Sequence, residues 1–252
     1  MKTPAETAYF QSGNNNKDGF DSRLQSVMDF LLKDVFHEAF NQSEGWESGM
    51  ARYYAHYAQD FVYPNTNLIM NFLDNHDIDR FSTAVKGDIR KYKMGLAMLM
   101  TTRGYPQIYY GTEIMIDGIA GSYEGHRFGF PGGWKEDIRN AFTKNDRTNA
   151  ENEVFNYLRT LLNYRKNNTV LQNGRMKQFI PEDGIYVYFR YNDEKTVMVV
   201  ANNNEQEKPV DVKRFGEMIR YNTTGSEITS GAKINLSELK VPAKTVSVIE
   251  IH

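Results

Sequence analysis

Residues up to about 170 alternate short apolar runs with stretches whose apolar positions recur every three or four residues. The run at 26–30 reads as a strand, and the helix after it places Leu32, Val35, Phe36, Ala39 and Phe40 on one face. A second strand is expected at 68–73. A helix rich in Met and Leu follows from about 89 to 102 and stops at Gly104. The Tyr- and Ile-rich run at 106–111 is a third strand. A later helix, from about 150 to 166, takes Asn149 as its N-cap and buries Val154, Phe155, Leu158, Leu161 and Leu162. Strands separated by helices predict βαβ units and a parallel sheet.

From about Arg175 the pattern changes. Short β-rich runs at 184–191, 196–202, 208–212, 233–236 and 245–251 are separated by turn residues, including Glu182-Asp-Gly184 and Asn202-Asn-Asn204. Tyr186 and Tyr188 alternate with their neighbours, as do Val197 and Val199, in the way two-sided strands do. An antiparallel β-sandwich is expected here. The chain therefore divides into residues 1–172, an α/β unit, and residues 173–252, an all-β unit.

The length of 252 residues allows one large or two ordinary domains. A net charge of −2 gives no support for a nucleic-acid partner, which would need a basic patch. No apolar run is long enough to span a bilayer as a helix, so no membrane partner is expected. The chain has no cysteine, which excludes disulfides and thiolate metal sites. Residues 1–20 hold no basic stretch followed by an apolar one, so no signal peptide is read and the compartment is left open.

The segment Asn71-Phe-Leu-Asp-Asn-His-Asp77 changes the picture most. It continues the apolar run Leu68-Ile-Met and then turns abruptly polar, with Asp74, Asn75, His76, Asp77, Asp79 and Arg80 close together. A buried strand is a near-continuous apolar run. This one delivers functional groups at its end, where barrel enzymes build their sites. Three carboxylates fall after predicted strands: Asp29, Asp77 and Glu113. Glycoside hydrolysis needs two carboxylates flanking the scissile bond, and sequence spacing does not choose among the three.

Several of these stretches resemble the α-amylase family of glycoside hydrolases. Phe72-Leu-Asp-Asn-His-Asp77 with Arg80-Phe81 looks like the family's fourth conserved region, on the seventh barrel strand. Gly104-Tyr-Pro-Gln-Ile-Tyr-Tyr-Gly-Thr-Glu113 looks like its eighth strand. Phe130-Pro-Gly-Gly-Trp134, Asn140-Ala-Phe142 and Ser26-Val-Met-Asp-Phe30 are similar to the neopullulanase and cyclomaltodextrinase branch. The resemblance implies the C-terminal part of a (β/α)8 TIM barrel, strands six to eight, followed by the family's terminal β-sandwich. It implies an α-glucan oligosaccharide as substrate and retaining hydrolysis of α-1,4 linkages in maltooligosaccharides, cyclodextrins or pullulan. Asp77 would be the third essential carboxylate, stabilising the transition state, with His76 donating to the same sugar. Asn75 and Arg80 would shape the pocket. Glu113 would either contact sugar or order the barrel mouth, and Asp29 is read as structural. No cofactor or metal ligand set is implied, and a structural calcium is left open.

In the family, the nucleophilic aspartate and acid/base glutamate lie on strands four and five, ahead of the segment that matches residues 2–10. Glu6 is misplaced to stand in for the glutamate. The chain is therefore expected to lack the catalytic pair, to be inactive alone and, with three strands that cannot close a barrel, to expose sheet edges and aggregate. A non-catalytic glucan-binding or interaction fragment is the alternative reading. A third reading is complementation, with another chain supplying the first five strands; the partners expected besides glucan are the missing N-terminal half or a second copy of the chain.

Other chemistries fit less well. His76-Asp77 suits a metal phosphohydrolase, but His37, His56, His126 and His252 lack ligand spacing. Asp74, Asp77 and Asp79 do not form an EF-hand loop, and no Walker A or dinucleotide fingerprint is present. The Asn-X-Ser/Thr matches at Asn41, Asn167, Asn222 and Asn235 read as chance. Tyr53, Tyr54 and Tyr57 sit at helical spacing and read as packing. Trp134, in a Gly-rich loop, is the candidate for stacking on sugar.

Overall fold

The computed structural model describes residues 2–252. Three short strands, β1 (Val27–Met28), β2 (Ile69–Phe72) and β3 (Tyr105–Gln107), pair in parallel in the order β1-β2-β3. Their register sets Met28, Met70 and Tyr105 side by side. The helices of this region are α1 (Pro4–Ala8), α2 (Phe30–Ala39), α3 (Ala51–Tyr57), α4 (Phe81–Ala84) and α5 (Ile89–Thr101). Two more, α6 (Asn149–Asn167) and α7 (Thr169–Gln172), lead into the second half. The arrangement is part of a β/α barrel. Among the described residues β1 and β3 each pair with β2 alone, so both carry an open edge.

Local chemistry sets the element ends. The Asp29 side chain accepts the Leu32 N–H at 2.9 Å and caps α2. That helix buries the four predicted positions Leu32, Val35, Phe36 and Ala39, with Phe40 buried just beyond its end. Gly104 follows α5 at φ 80°, and a Cβ there would lie 2.2 Å from the Ile69 carbonyl oxygen, so only glycine lets β2 and β3 approach.

Three expectations are corrected. The third strand ends at Gln107, because Gly111 turns the chain at φ 82° into the 3-10 turn Thr112–Ile114. The cap of α6 is Thr148, in a capping box with Glu151, and Asn149 is the first helical residue. The buried stripe of that helix is Val154, Leu158, Leu161 and Arg165. Phe155 is half-buried beneath the Arg147 guanidinium, 3.9 Å from its ring centre, and Leu162 is exposed.

The second half is a six-stranded antiparallel sheet in the order β4-β5-β6-β11-β8-β9. Its strands are β4 (Arg175–Gln178), β5 (Ile185–Tyr191), β6 (Thr196–Asn202), β8 (Thr224–Glu227), β9 (Lys233–Asn235) and β11 (Thr245–Ile251). β7 (Lys208–Pro209) and β10 (Lys240–Val241) form a separate antiparallel pair, and α8 (Gly216–Ile219) lies between β7 and β8. Alternation sends side chains to two cores. Tyr186, Tyr188, Val197, Val199 and Val248 pack with Met98 and Leu158 of the barrel helices. Val187, Phe189, Met198, Val200 and Ile249 pack with Phe215, Ile219, Leu236 and Val241. Arg190 crosses the seam, donating to the carbonyls of Thr101 (2.9 Å), Thr102 (2.5 Å) and Gly174 (2.9 Å).

Candidate functional site

β2 ends at Phe72, and the next five residues divide into groups held inside and groups offered to solvent. Asp74 is buried: its carboxylate accepts the Phe81 N–H at 3.0 Å and the Thr112 hydroxyl at 2.9 Å. It ties the end of β2 to the turn after β3, and burial pushes its carboxyl above the usual range. Asn75 is also buried, and its Oδ1 accepts the Asp77 N–H at 2.9 Å, an Asx turn that directs the next side chains outward. His76 and Asp77 emerge with side chains 61% and 56% exposed, their Nε2 and Oδ2 3.3 Å apart.

Arg80 lies fully buried below this turn. Its Nη1 donates to the Tyr110 carbonyl at 2.7 Å, and its guanidinium sits 4.1 Å from the Tyr109 ring centre and 4.8 Å from that of Tyr110. Stacking on two rings offsets part of the cost of burying a charge whose nearest carboxylate, Asp74, is 4.0 Å away. Arg80 therefore fixes the floor at the ends of β2 and β3.

The wall opposite Asp77 comes from a loop that sequence reasoning did not single out. Arg127 Nη2 lies 3.1 Å from Asp77 Oδ1, while its guanidinium stacks 3.3 Å from the Tyr123 ring centre. The neighbouring His126 places Nε2 2.7 Å from Asp79 Oδ1, which also accepts the Gly121 N–H at 2.8 Å. Burial would raise the Asp79 carboxyl, but the Gly121 N–H and His126 outweigh it and hold it low. Two successive residues thus clamp two carboxylates of the strand-end segment. The only sequence signal was a basic pair, His126-Arg127, fifty residues downstream.

The remaining predicted residues lie elsewhere. Glu113 lines a cavity of about 200 Å³ with Phe155, Leu158 and Arg159 of α6. Among the described residues no hydrogen bond or ion pair joins it to Asp77, His76 or Arg80. Trp134 is 80% exposed in its loop, fixed by its backbone N–H to Asp137 at 2.8 Å. Asp29 is buried in an internal network, 2.9 Å from His56 Nε2 and 3.0 Å from Arg103 Nη2. Its burial opposes ionisation, but His56 and Arg103 hold its carboxyl well below the usual range. Among the described residues, no group of three or more His, Asp or Glu is arranged to hold a metal.

Of the strand-end carboxylates, then, Asp29 and Asp74 are consumed by internal bonds and Asp77 is presented to solvent. An exposed carboxylate between an imidazole and a guanidinium can accept hydrogen bonds from hydroxyl groups of a neutral ligand while its neighbours donate to the same ligand.

Comparison with known proteins bears on the family and the fold. Residues 10–145 match the model of the alpha amylase catalytic domain, and residues 176–250 match that of the cyclo-malto-dextrinase C-terminal domain. The chain is 36% identical over 135 residues to the cyclomaltodextrin glucanotransferase of Geobacillus stearothermophilus, a match covering 54% of this chain and 16% of that protein. It is 27% identical over 190 residues to a cyclomaltodextrinase of Bacillus sp., covering 75% of this chain and 31% of the relative. The chain thus spans less than a third of the length of these curated relatives. Among solved structures, the alpha-amylase of Geobacillus thermoleovorans complexed with acarbose superposes with a TM-score of 0.71 at 21% identity, over 91% of this chain and 48% of that one.

Proposed function

We propose a function from one premise: the chain belongs to the α-amylase family. In this reading Asp77 binds the hydroxyls of the sugar at the point of cleavage and favours its distorted, oxocarbenium-like transition state. Hydrogen bonds to the 2-hydroxyl that tighten in the transition state are worth several kcal/mol in glycosidases. His76 donates to the same sugar. Asn75 and Arg80 hold the turn in place, Glu113 takes the other role expected of it and orders the barrel mouth from the α6 side, and Trp134, exposed on its loop, contributes a more distant sugar contact. The reaction served is retaining hydrolysis of α-1,4 linkages in maltooligosaccharides, cyclodextrins or pullulan.

The observation that carries this reading is the exposed Asp77 carboxylate, 3.3 Å from His76 and 3.1 Å from Arg127 at the end of a parallel strand. The same geometry argues against catalysis by this chain alone. Retaining hydrolysis needs a nucleophile and an acid/base about 5–5.5 Å apart, whereas Asp29 and Asp74 are spent internally and Glu113 faces α6. The pair is assigned to barrel strands outside these residues, and the open edges of β1 and β3 are where such strands would dock. The division at 172/173 is supported by the separate family matches to residues 10–145 and 176–250. The alternative, a non-catalytic glucan-binding fragment, uses the same Asp77 contact without turnover.

The test is an amide NMR titration with maltotriose. Saturable shifts at His76 and Asp77, lost in Asp77→Asn, are expected. Shifts unchanged by that substitution would remove Asp77 from sugar recognition.

A further inference from the structure

The stretch 73–81 carries Asn75, His76, Asp77 and Arg80, and both of its ends rest on a helix that contributes no side chain to the site. Pairing of β2 with β3 stops at Phe72, opposite Gln107. The Leu73 carbonyl has therefore left the sheet, in a residue that is almost fully buried. A buried carbonyl needs a donor. His37, in the last turn of α2, supplies it: its Nε2 lies 2.6 Å from the Leu73 oxygen.

The far end of the stretch meets the same helix. The His37 ring lies 5.8 Å, centre to centre, from the Phe81 ring, and Phe40 packs on Phe81 at 6.4 Å. Asn41, one turn beyond His37, donates from Nδ2 to the Ala84 carbonyl at 2.8 Å. Asp74 closes the base from the inside by accepting the Phe81 N–H at 3.0 Å. Asp77 stands midway, four residues from Leu73 and four from Phe81. One imidazole thus touches the residue where the loop leaves the sheet and the residue where it returns.

The proton on that ring has a defined place. A carbonyl oxygen only accepts, so the single proton of a neutral imidazole must sit on Nε2. Burial keeps the ring neutral by pushing its pKa below the usual histidine range. Lys33 acts in the same direction, and the Leu73 carbonyl, Asp34 and Asp79 oppose it.

We infer that His37 is a positioning residue for the strand-end site: its Nε2–H fixes the Leu73 carbonyl and, through it, the direction in which His76 and Asp77 face the sugar. The sugar rests on the function proposed above; the fixing of the loop does not. Binding groups keep their geometry only when the residues behind them hold it. Without the donor the loop stays attached through Asp74 and Phe81, but its start is free and Asp77 loses its set orientation.

The test compares His37→Leu, which removes the donor, with His37→Gln, whose side-chain amide donates in its place. Both residues suit a helix. Maltotriose titration is read at the His76 and Asp77 amides, and hydrogen exchange at Asp77 and Phe81 is measured without sugar. His37→Leu should weaken maltotriose binding about tenfold, the size of one hydrogen bond, and speed exchange at Asp77. His37→Gln should bring both back to within about twofold of the native chain. In the native chain near neutral pH, the imidazole nitrogen shifts should show a neutral ring protonated at Nε2, a measurement that stands whether or not the leucine variant folds. A ring protonated at Nδ1, or a leucine variant that binds and exchanges like the native chain, would overturn the proposal. So would a glutamine variant no better than the leucine one, because the donor would then be irrelevant. A native chain that ignores maltotriose would defeat the sugar reading alone, and exchange at Asp77 and Phe81 would still decide the role of His37.

Discussion

Arg127 reaches from the loop after β3 to place its Nη2 3.1 Å from Asp77 Oδ1, joining residues fifty positions apart across the strand ends. Both partners are accessible, with side chains 28% and 56% exposed. Solvent-screened pairs of this kind contribute about 0–1 kcal/mol. Arg127→Ala should therefore shift the urea midpoint only slightly while weakening maltotriose binding at Asp77, because the carboxylate loses its fixed orientation. A large loss of stability would mean that the pair is structural instead.

The buried network behaves differently. Arg103 is held by Asp29 at 3.0 Å and Asp60 at 2.8 Å, and its Nη1 donates to Asn71 Oδ1 at 3.0 Å. Arg103→Met strands two carboxylates, one of them fully buried. Breaking a buried pair by removing one partner costs about 3–5 kcal/mol, and urea unfolding should show a loss of that order.

Acid should act through the same network. The folded-state pKa of Asp29 lies below its unfolded value, because His56 and Arg103 together outweigh its burial. The folded protein thus binds fewer protons there than the unfolded chain. This stabilisation is complete above about pH 4 and is lost as pH falls through the folded value. Asp74 has the opposite sign, its carboxyl being raised by burial, so acid relieves its cost. Asp29→Asn should be less stable at neutral pH and should lose less further stability than the native chain between pH 5 and 3. An unchanged acid limb would remove Asp29 from the account.

Gly95 sets helix propensity against packing. Alanine is favoured over glycine in a helix by about 1 kcal/mol, but a Cβ at Gly95 would lie 2.3 Å from the buried Phe81 ring. Overpacking of a well-filled core costs about 1–3 kcal/mol. Gly95→Ala should lower the thermal midpoint; a rise would show that Phe81 can move aside.

The open sheet edges make a further prediction. Tyr105 lies on the edge strand β3 and is 38% exposed. A lysine on an edge strand discourages pairing with another chain, so Tyr105→Lys should reduce light scattering at a given protein concentration. Equal scattering would place the sticky surface elsewhere.

Sequence alone carried the architecture well where burial is two-sided. The runs 196–202 and 245–251 match β6 and β11 because both faces of those strands are covered, leaving long apolar runs ended by turn residues. β4 and β8 were not legible. Arg-Met-Lys-Gln and Thr-Gly-Ser-Glu have no apolar run, and their register comes from neighbours β5 and β11. At the site, Asn75, His76, Asp77 and Arg80 stand together as a local segment can show. Glu113 and Trp134 do not join them, because a turn at Gly111 and an irregular loop decide where they point. Arg127 was hidden for the same reason: its partner is set by loop geometry, which has no period to read.

Hydrolysis of maltooligosaccharides and pullulan by the purified 252-residue chain, beside its Asp77→Asn variant, tests the central claim most directly. The account predicts no reducing-sugar release from either protein, because it assigns Asp77 to sugar binding and assigns the catalytic pair to strands outside these residues. Activity in the native chain that is lost in Asp77→Asn would contradict it, and a working second carboxylate would then have to be found among the residues described here.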